Sequence, residues 1–196
     1  MAGNFRTVID VGADHLEQAQ AIDRVFQEAI APATVNFDFD HIREAAAAIP
    51  DGTVVRMVRG WGLQEHAPMG VIVVSLKEAV RQALPDALAD ASFWDTIDTE
   101  LVRAFTGLAA QEDEPGLSYY EEGVDRTSFY RDLFFALQDE EAEAGVYAIA
   151  FCVDATIGLD KARLGTLGVS DVAPFAVRLN AIVVRQELRP AVGPTV

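Results

Sequence analysis

A chain of 196 residues with 51% hydrophobic and 23% charged side chains carries enough apolar surface for one sizeable core, and no repeat or linker divides it. Its 31 acids against 15 bases give a formal net charge of -16, which argues against nucleic acid, because phosphate binding draws its affinity from Lys and Arg. The same charge repels anionic membranes at long range, so a membrane partner would be zwitterionic and the attraction apolar.

Residues 14 to 31, DHLEQAQAIDRVFQEAIA, place Leu16, Ala19, Ile22, Phe26 and Ile30 on one helical face, with Asp14 and Glu17 at capping-box spacing. The run TVNFDF alternates Val35, Phe37 and Phe39 with polar neighbours and predicts a strand. In DHIREAAAAIP, Ile42, Ala45, Ala46 and Ile49 share the face of a second helix, stopped by the PDG turn at 50 to 52. TVVRMVRGW and GVIVV are β-branched runs separated by a Gly- and Pro-containing connection, and predict two strands of a hairpin. SLKEAVRQAL predicts a third helix, boxed by Ser75 and Glu78 and limited by Pro85. SFWDTIDTELVRAFTGL predicts a fourth, boxed by Ser92 and Asp95, with Trp94, Ile97, Leu101, Phe105 and Leu108 along one face. The acidic QEDEPGLSYYEEGVD reads as a surface loop. From there the period changes to two through TSFYRDLFFALQ, GVYAIAFCVDATI and APFAVRLNAIVVRQEL, three long strands, with QDEEAEAG as a solvated hairpin turn.

Helices and strands do not alternate strictly, so the order predicts an α+β fold: one domain over residues 1–196, a central, mostly antiparallel sheet covered by two layers of helices. The first late strand carries Phe129, Leu133, Phe135 and Leu137 on one face and Tyr130, Phe134 and Ala136 on the other. Two apolar faces require a helix layer on each side, giving three layers α/β/α.

Chemistry-bearing motifs are scarce. There is no G-x-S-x-G elbow, and neither RGWGLQE nor GLDKARLGTLG has the spacing of a phosphate-cradling loop. His15, His41 and His66 fall in separate elements; Asp38, Asp40 and His41 form the best metal candidate, and a helix cap explains them equally well. Cys152 is the one cysteine and reads as a small buried hydrophobe. No catalytic residue, cofactor or metal ligand is assigned, and the chain is not read as an enzyme. The start MAGNFRTVIDVGADH lacks the basic and apolar regions of a secretory signal, so the expectation is cytoplasmic synthesis and action outside the cell after release.

A strand residue advances about 3.3 Å, so an 11-residue run tilted by about 40° approaches the roughly 30 Å of bilayer hydrocarbon. Residues 147 to 157 place Tyr147, Ile149, Phe151, Val153, Ala155 and Ile157 on one face against Asp154 on the other, and the last strand sets Phe175, Val177, Leu179, Ala181 and Val183 against Arg178 and Asn180. The strand before them departs from this alternation: Arg131 and Asp132 are adjacent, one charge on each face. A basic side chain facing lipid at the midplane costs about 2 to 4 kcal/mol, which weighs against insertion of that strand along its length.

AIDRVFQEAIAPATVNFDF resembles the first helix and following strand of the Cyt cytolytic delta-endotoxins, and ASFWDTIDTELVRAFTGL resembles their later helix with its Phe-Trp start. SFYRDLFFALQDE followed by YAIAFCVDATIGL is similar to their long strands, and the likeness runs from about Val11 to Gln186. The resemblance implies a sheet wrapped by two helix pairs, with membrane phospholipids and further copies of the chain as partners. It implies a cytolysin that permeabilises bilayers by oligomerisation and strand insertion or by detergent-like disruption, or else a non-lytic lipid-binding module that has kept the fold. The residues expected to contact membrane or oligomer are Phe129, Leu133, Phe135, Tyr147, Ile149, Phe151, Val153, Phe175, Val177, Leu179 and Val183. Family protoxins carry terminal segments removed by proteolysis; the short start and the RPAVGPTV tail resemble the processed form, and action without activation is the expectation.

Overall fold

The computed structural model describes residues 5–30, 37–83, 91–139 and 145–188. The helices α1 (Leu16–Ala29) and α2 (Phe39–Ala47) pack on one face of a six-stranded sheet, and α3 (Met69–Ala83) and α4 (Ala91–Arg103) on the other. The strands are β1 (Arg6–Asp10), β2 (Gly52–Pro68), β3 (Leu117–Glu122), β4 (Thr127–Asp139), β5 (Gly145–Ile157) and β6 (Val172–Glu187), with the short helix α5 (Lys161–Gly165) between the last two. The sheet runs β1-β4-β5-β6-β2, and β3 shares the outer edge of β4 with β1. Only the β1–β4 pairing is parallel among the described strands, so the sheet is mostly antiparallel and the three-layer α+β architecture is as expected.

Each helix is held by its apolar stripe. Ala19, Ile22 and Phe26 of α1 and Ile42 and Ala46 of α2 are buried against Phe134, Ala136, Ala148, Ala150, Ile182 and Val184 of the sheet. Leu16, placed on that stripe by its spacing, is instead exposed. On the opposite face, Ile72, Leu76 and Val80 of α3 and Trp94, Ile97 and Leu101 of α4 bury the other side of the strands, and Phe105 and Leu108 continue the α4 face beyond its end. Asp38 caps α2, its Oδ1 accepting from the backbone N–H groups of Asp40 and His41 at 3.0 and 3.2 Å, so the DFDH cluster is a helix start.

Five expectations need correction. GVIVV is not a strand: Met69, Ile72, Val73, Leu76 and Val80 recur at helical spacing, and burying that stripe outweighs the β preference of the valines. Ser75 therefore sits inside α3 rather than boxing its start, and Ser92 likewise follows the first residue of α4. The Gly- and Pro-containing connection is the continuation of β2, a 17-residue edge strand with register shifts at Val54/Arg56 and Val58/Trp61. At α1 the N-cap is His15 with no side-chain cap bond, so Asp14 and Glu17 do not form a box. Finally, Leu117–Glu122 of the acidic loop form β3, whose Leu117 and Tyr119 pack on the α3–α4 face.

The predicted TVNFDF strand lies outside the described residues at 34–36, and its last residue, Phe39, opens α2. The Pro85 stop, residues 140–144 of the acidic turn, and the tail from 189 also lie outside them.

Strand β1 was not foreseen. It and β3 meet end to end along β4 at Gly116, whose carbonyl accepts from Asp132 N–H at 2.7 Å. Gly116 has φ +77°, and a Cβ there would stand 2.2 Å from the Asp132 carbonyl oxygen and 2.7 Å from the Arg6 nitrogen, so the junction admits only glycine.

Candidate functional site

All eleven candidate contact residues fall on the sheet face beneath α3 and α4, and none is more than 3% exposed. Neighbouring strands bring them into rows: Phe135 with Ile149 and Val183, Leu133 with Phe151, Val153 with Leu179. Phe135 meets Phe151 edge to face at 5.5 Å, and Phe105 bridges from the helix layer to Phe129 and Phe175 at 6.2 and 6.5 Å. Burying one such side chain stabilises by about 1.5–3 kcal/mol, so baring all of them to water would cost on the order of 20 kcal/mol. That exceeds the roughly 5–15 kcal/mol that holds a domain folded. The helix pair cannot leave this face in water, but an apolar medium in its place removes most of the penalty.

The helix pair is also fastened to itself. Lys77 of α3 pairs with Asp98 of α4, and the Arg81 guanidinium lies over the Trp94 ring at 5.1 Å. Polar ties from this pair to the sheet run through Arg6 of β1, which holds Glu100 of α4 with two hydrogen bonds, one of 3.0 Å.

Beside them sits a network that was not read from the sequence. Arg131 of β4 points into the α3–α4 face, fully buried, where one guanidinium nitrogen donates to Gln111 Oε1. Glu114 lies 3.8 Å from Arg131 and 3.3 Å from Arg6, and also pairs with Arg103, so one carboxylate serves three arginines. Burial lowers Arg131 to about 10, and Glu114 opposes that shift. Two Arg131 nitrogens, Nε and Nη1, have no hydrogen-bond partner among the described residues.

Asp132, next in sequence, points the opposite way into the α1–α2 face, level with Cys152 of β5. It is fully buried, and burial raises it to about 8, with the Cys152 thiol beside it opposing that shift. The division of the two charges between the faces is therefore as expected, and both are fully removed from water. Cys152 is buried, as expected.

Among the described residues no group of three or more His, Cys, Asp or Glu side chains could hold a metal, and no helix is long and apolar enough to cross a membrane.

A family model described as Bacillus thuringiensis toxin matches residues 2–193. The type-2Aa cytolytic delta-endotoxin of Bacillus thuringiensis subsp. kyushuensis is 26% identical over 193 residues, covering 98% of this chain and 74% of the relative. The type-2Ba cytolytic delta-endotoxin of subsp. israelensis is 25% identical over 185 residues, covering 94% and 70%. A solved delta-endotoxin superposes with a TM-score of 0.91 at 26% identity over 97% of this chain and 84% of its own. The activated Cyt2Ba monomer of subsp. israelensis shares the fold with a TM-score of 0.88 at 24% identity, over 95% and 100%. Matched from end to end of its described fold, the chain belongs to the Bacillus thuringiensis toxin family, with the Cyt-type cytolytic toxins.

Proposed function

We propose that this protein, acting as one domain, binds phospholipid bilayers and permeabilises them. At the bilayer α3 and α4 leave the sheet together, and the eleven apolar side chains meet lipid or the same face of further copies, by strand insertion or by detergent-like disruption. The observation that carries the reading is that these side chains occupy one continuous face under one helix pair that is fastened to itself by charged contacts. Strands β5 and β6, 13 and 16 residues long, have the reach and the alternation to enter the hydrocarbon. Strand β4 stays at the surface, because the Arg131 guanidinium lies on the face that would meet lipid. Similarity to proteins named cytolytic delta-endotoxins supports action on a target membrane after release.

The test is dye release from unsaturated zwitterionic liposomes on adding the full, unproteolysed chain. Release is expected at neutral pH without protease, and is weaker on anionic liposomes at low salt because of the net charge of -16. Liposomes that bind the protein and stay sealed would replace the lytic reading with that of a lipid-binding module.

A further inference from the structure

The polar side chains that interrupt β5 and β6 converge on the sheet face opposite the eleven, on the part that α1 and α2 leave uncovered. Asp154, Arg178 and Gly62 lie side by side on β5, β6 and β2, and Thr156, Ala176 and Gln64 form the next row. They line a groove of about 590 Å³ with Tyr120 of β3 at its far side. Tyr120 stacks on Tyr130 with centroids 4.5 Å apart and is 49% exposed, so one ring face is covered and the other open. Its hydroxyl donates to Asp154 Oδ1 at 2.7 Å and, raised to about 12 by burial and by that bond, stays protonated. Arg178 is exposed and, although it is directly opposite Asp154, its guanidinium makes no hydrogen bond or ion pair with the described residues. On its other side Gly62 and Gly60 have no side chain to cover it, and Gly60 is held by its N–H bond to Asn180 Oδ1 at 2.8 Å.

We propose that this groove binds the phosphocholine headgroup of a zwitterionic phospholipid, with the quaternary ammonium over the open face of Tyr120 beside Asp154 and the phosphate on Arg178. An aromatic face next to a carboxylate attracts an alkylated ammonium that cannot donate hydrogen bonds, and a free guanidinium takes two phosphate oxygens. Asp154 and Arg178 lie opposite each other on adjacent strands, about 4.8 Å apart, which suits an ammonium beside the carboxylate, at the hydroxyl end of the Tyr120 ring, and a phosphate on the guanidinium, joined by an ethylene bridge. A neutral glycan would use the tyrosine and the amide but leave the guanidinium without a counterion. The inference rests on the membrane reading and adds to it a headgroup site on the face that the helix departure does not touch.

The test uses the full chain with soluble phosphocholine, followed by amide NMR shifts, beside choline chloride and inorganic phosphate. Expected is saturable binding of phosphocholine that shifts Tyr120, Thr156 and Arg178, with each half-molecule at least about fivefold weaker. Arg178→Gln, at an exposed position, should weaken it at least about fivefold at unchanged thermal midpoint; Tyr120→Ala should weaken it as much with a small loss of stability, since it also removes the stack on Tyr130 and the bond to Asp154; both should weaken flotation with phosphatidylcholine vesicles in parallel. Inorganic phosphate binding as tightly as phosphocholine, or variants that bind like wild type, would overturn the site. Wild-type leakage from both variants would overturn its role while leaving the lytic reading intact. Phosphocholine binding with sealed vesicles supports the site and removes the lytic reading.

Discussion

Replacing Glu114 by Ala is expected to lower the unfolding free energy by about 2–3 kcal/mol, whereas Arg131→Met should change it by less than about 1 kcal/mol or raise it. The asymmetry follows from what each change leaves behind. Without Glu114, the buried Arg131 keeps only its bond to Gln111, and Arg6 and Arg103 lose the same carboxylate. A buried charge stripped of its partner costs about 3–5 kcal/mol, and the 28% exposure of the Glu114 side chain places this case below that range. Arg131→Met removes the charge instead and leaves an apolar chain of similar length among Phe129, Leu133 and their neighbours. Urea midpoints of the two variants decide the matter, and a larger loss for Arg131→Met would show that the guanidinium itself stabilises the fold. Because Glu114 also pairs with Arg103 of α4 and so ties that helix to Arg131 of the sheet, Glu114→Ala should speed dye release.

Asp132→Asn should change how stability depends on pH. In the unfolded chain the carboxyl ionises near pH 4, as ordinary aspartates do. In the folded chain burial holds its proton up to about 8. Between those values the folded state binds one more proton than the unfolded one, so this group takes stability away as pH rises, by about 1.4 kcal/mol per unit. Above about 8 both states are ionised and the slope ends. The asparagine variant lacks this loss, so its stability relative to wild type should climb from pH 5 to pH 8 and then level. Parallel wild-type and variant curves from pH 5 to pH 9 would mean that Asp132 is ionised in the fold, and the reading of a buried neutral carboxyl would fail.

The parts of this fold that were legible in sequence are those whose period is long and clean. The β5 and β6 alternation specified which side chains share the α3–α4 face, because each slip by one residue would turn the whole set over. The α4 stripe from Trp94 to Leu108 was equally plain. What was missed depends on distant partners. Strand β1 has only five residues and its register with Leu133 to Leu137 is set by chain more than 120 positions away. Strand β3 is masked by its acids, since Glu121 and Glu122 stay at the surface while Leu117 and Tyr119 turn inward. Reading that segment as a loop also hid Tyr120, although Asp154, Arg178 and Asn180 stood out as exceptions in their strands. The Arg131 network was invisible for the same reason: Arg6, Glu100 and Glu114 come from three separate elements, and only the closed sheet edge brings them together.

The two tryptophans and the single cysteine offer a direct view of which face opens. Trp61 of β2 and Trp94 of α4 both pack on the α3–α4 side, and Cys152 lies on the other. In the Trp94→Phe variant Trp61 alone reports the sheet face. The measurement is its quenching by acyl-brominated phosphatidylcholine during dye release, with maleimide reaction of Cys152 followed in the same sample. Quenching of Trp61 in step with release is expected; release with Trp61 unquenched and Cys152 rapidly alkylated would contradict the departure of α3 and α4 and assign the membrane-facing role to the opposite side of the sheet.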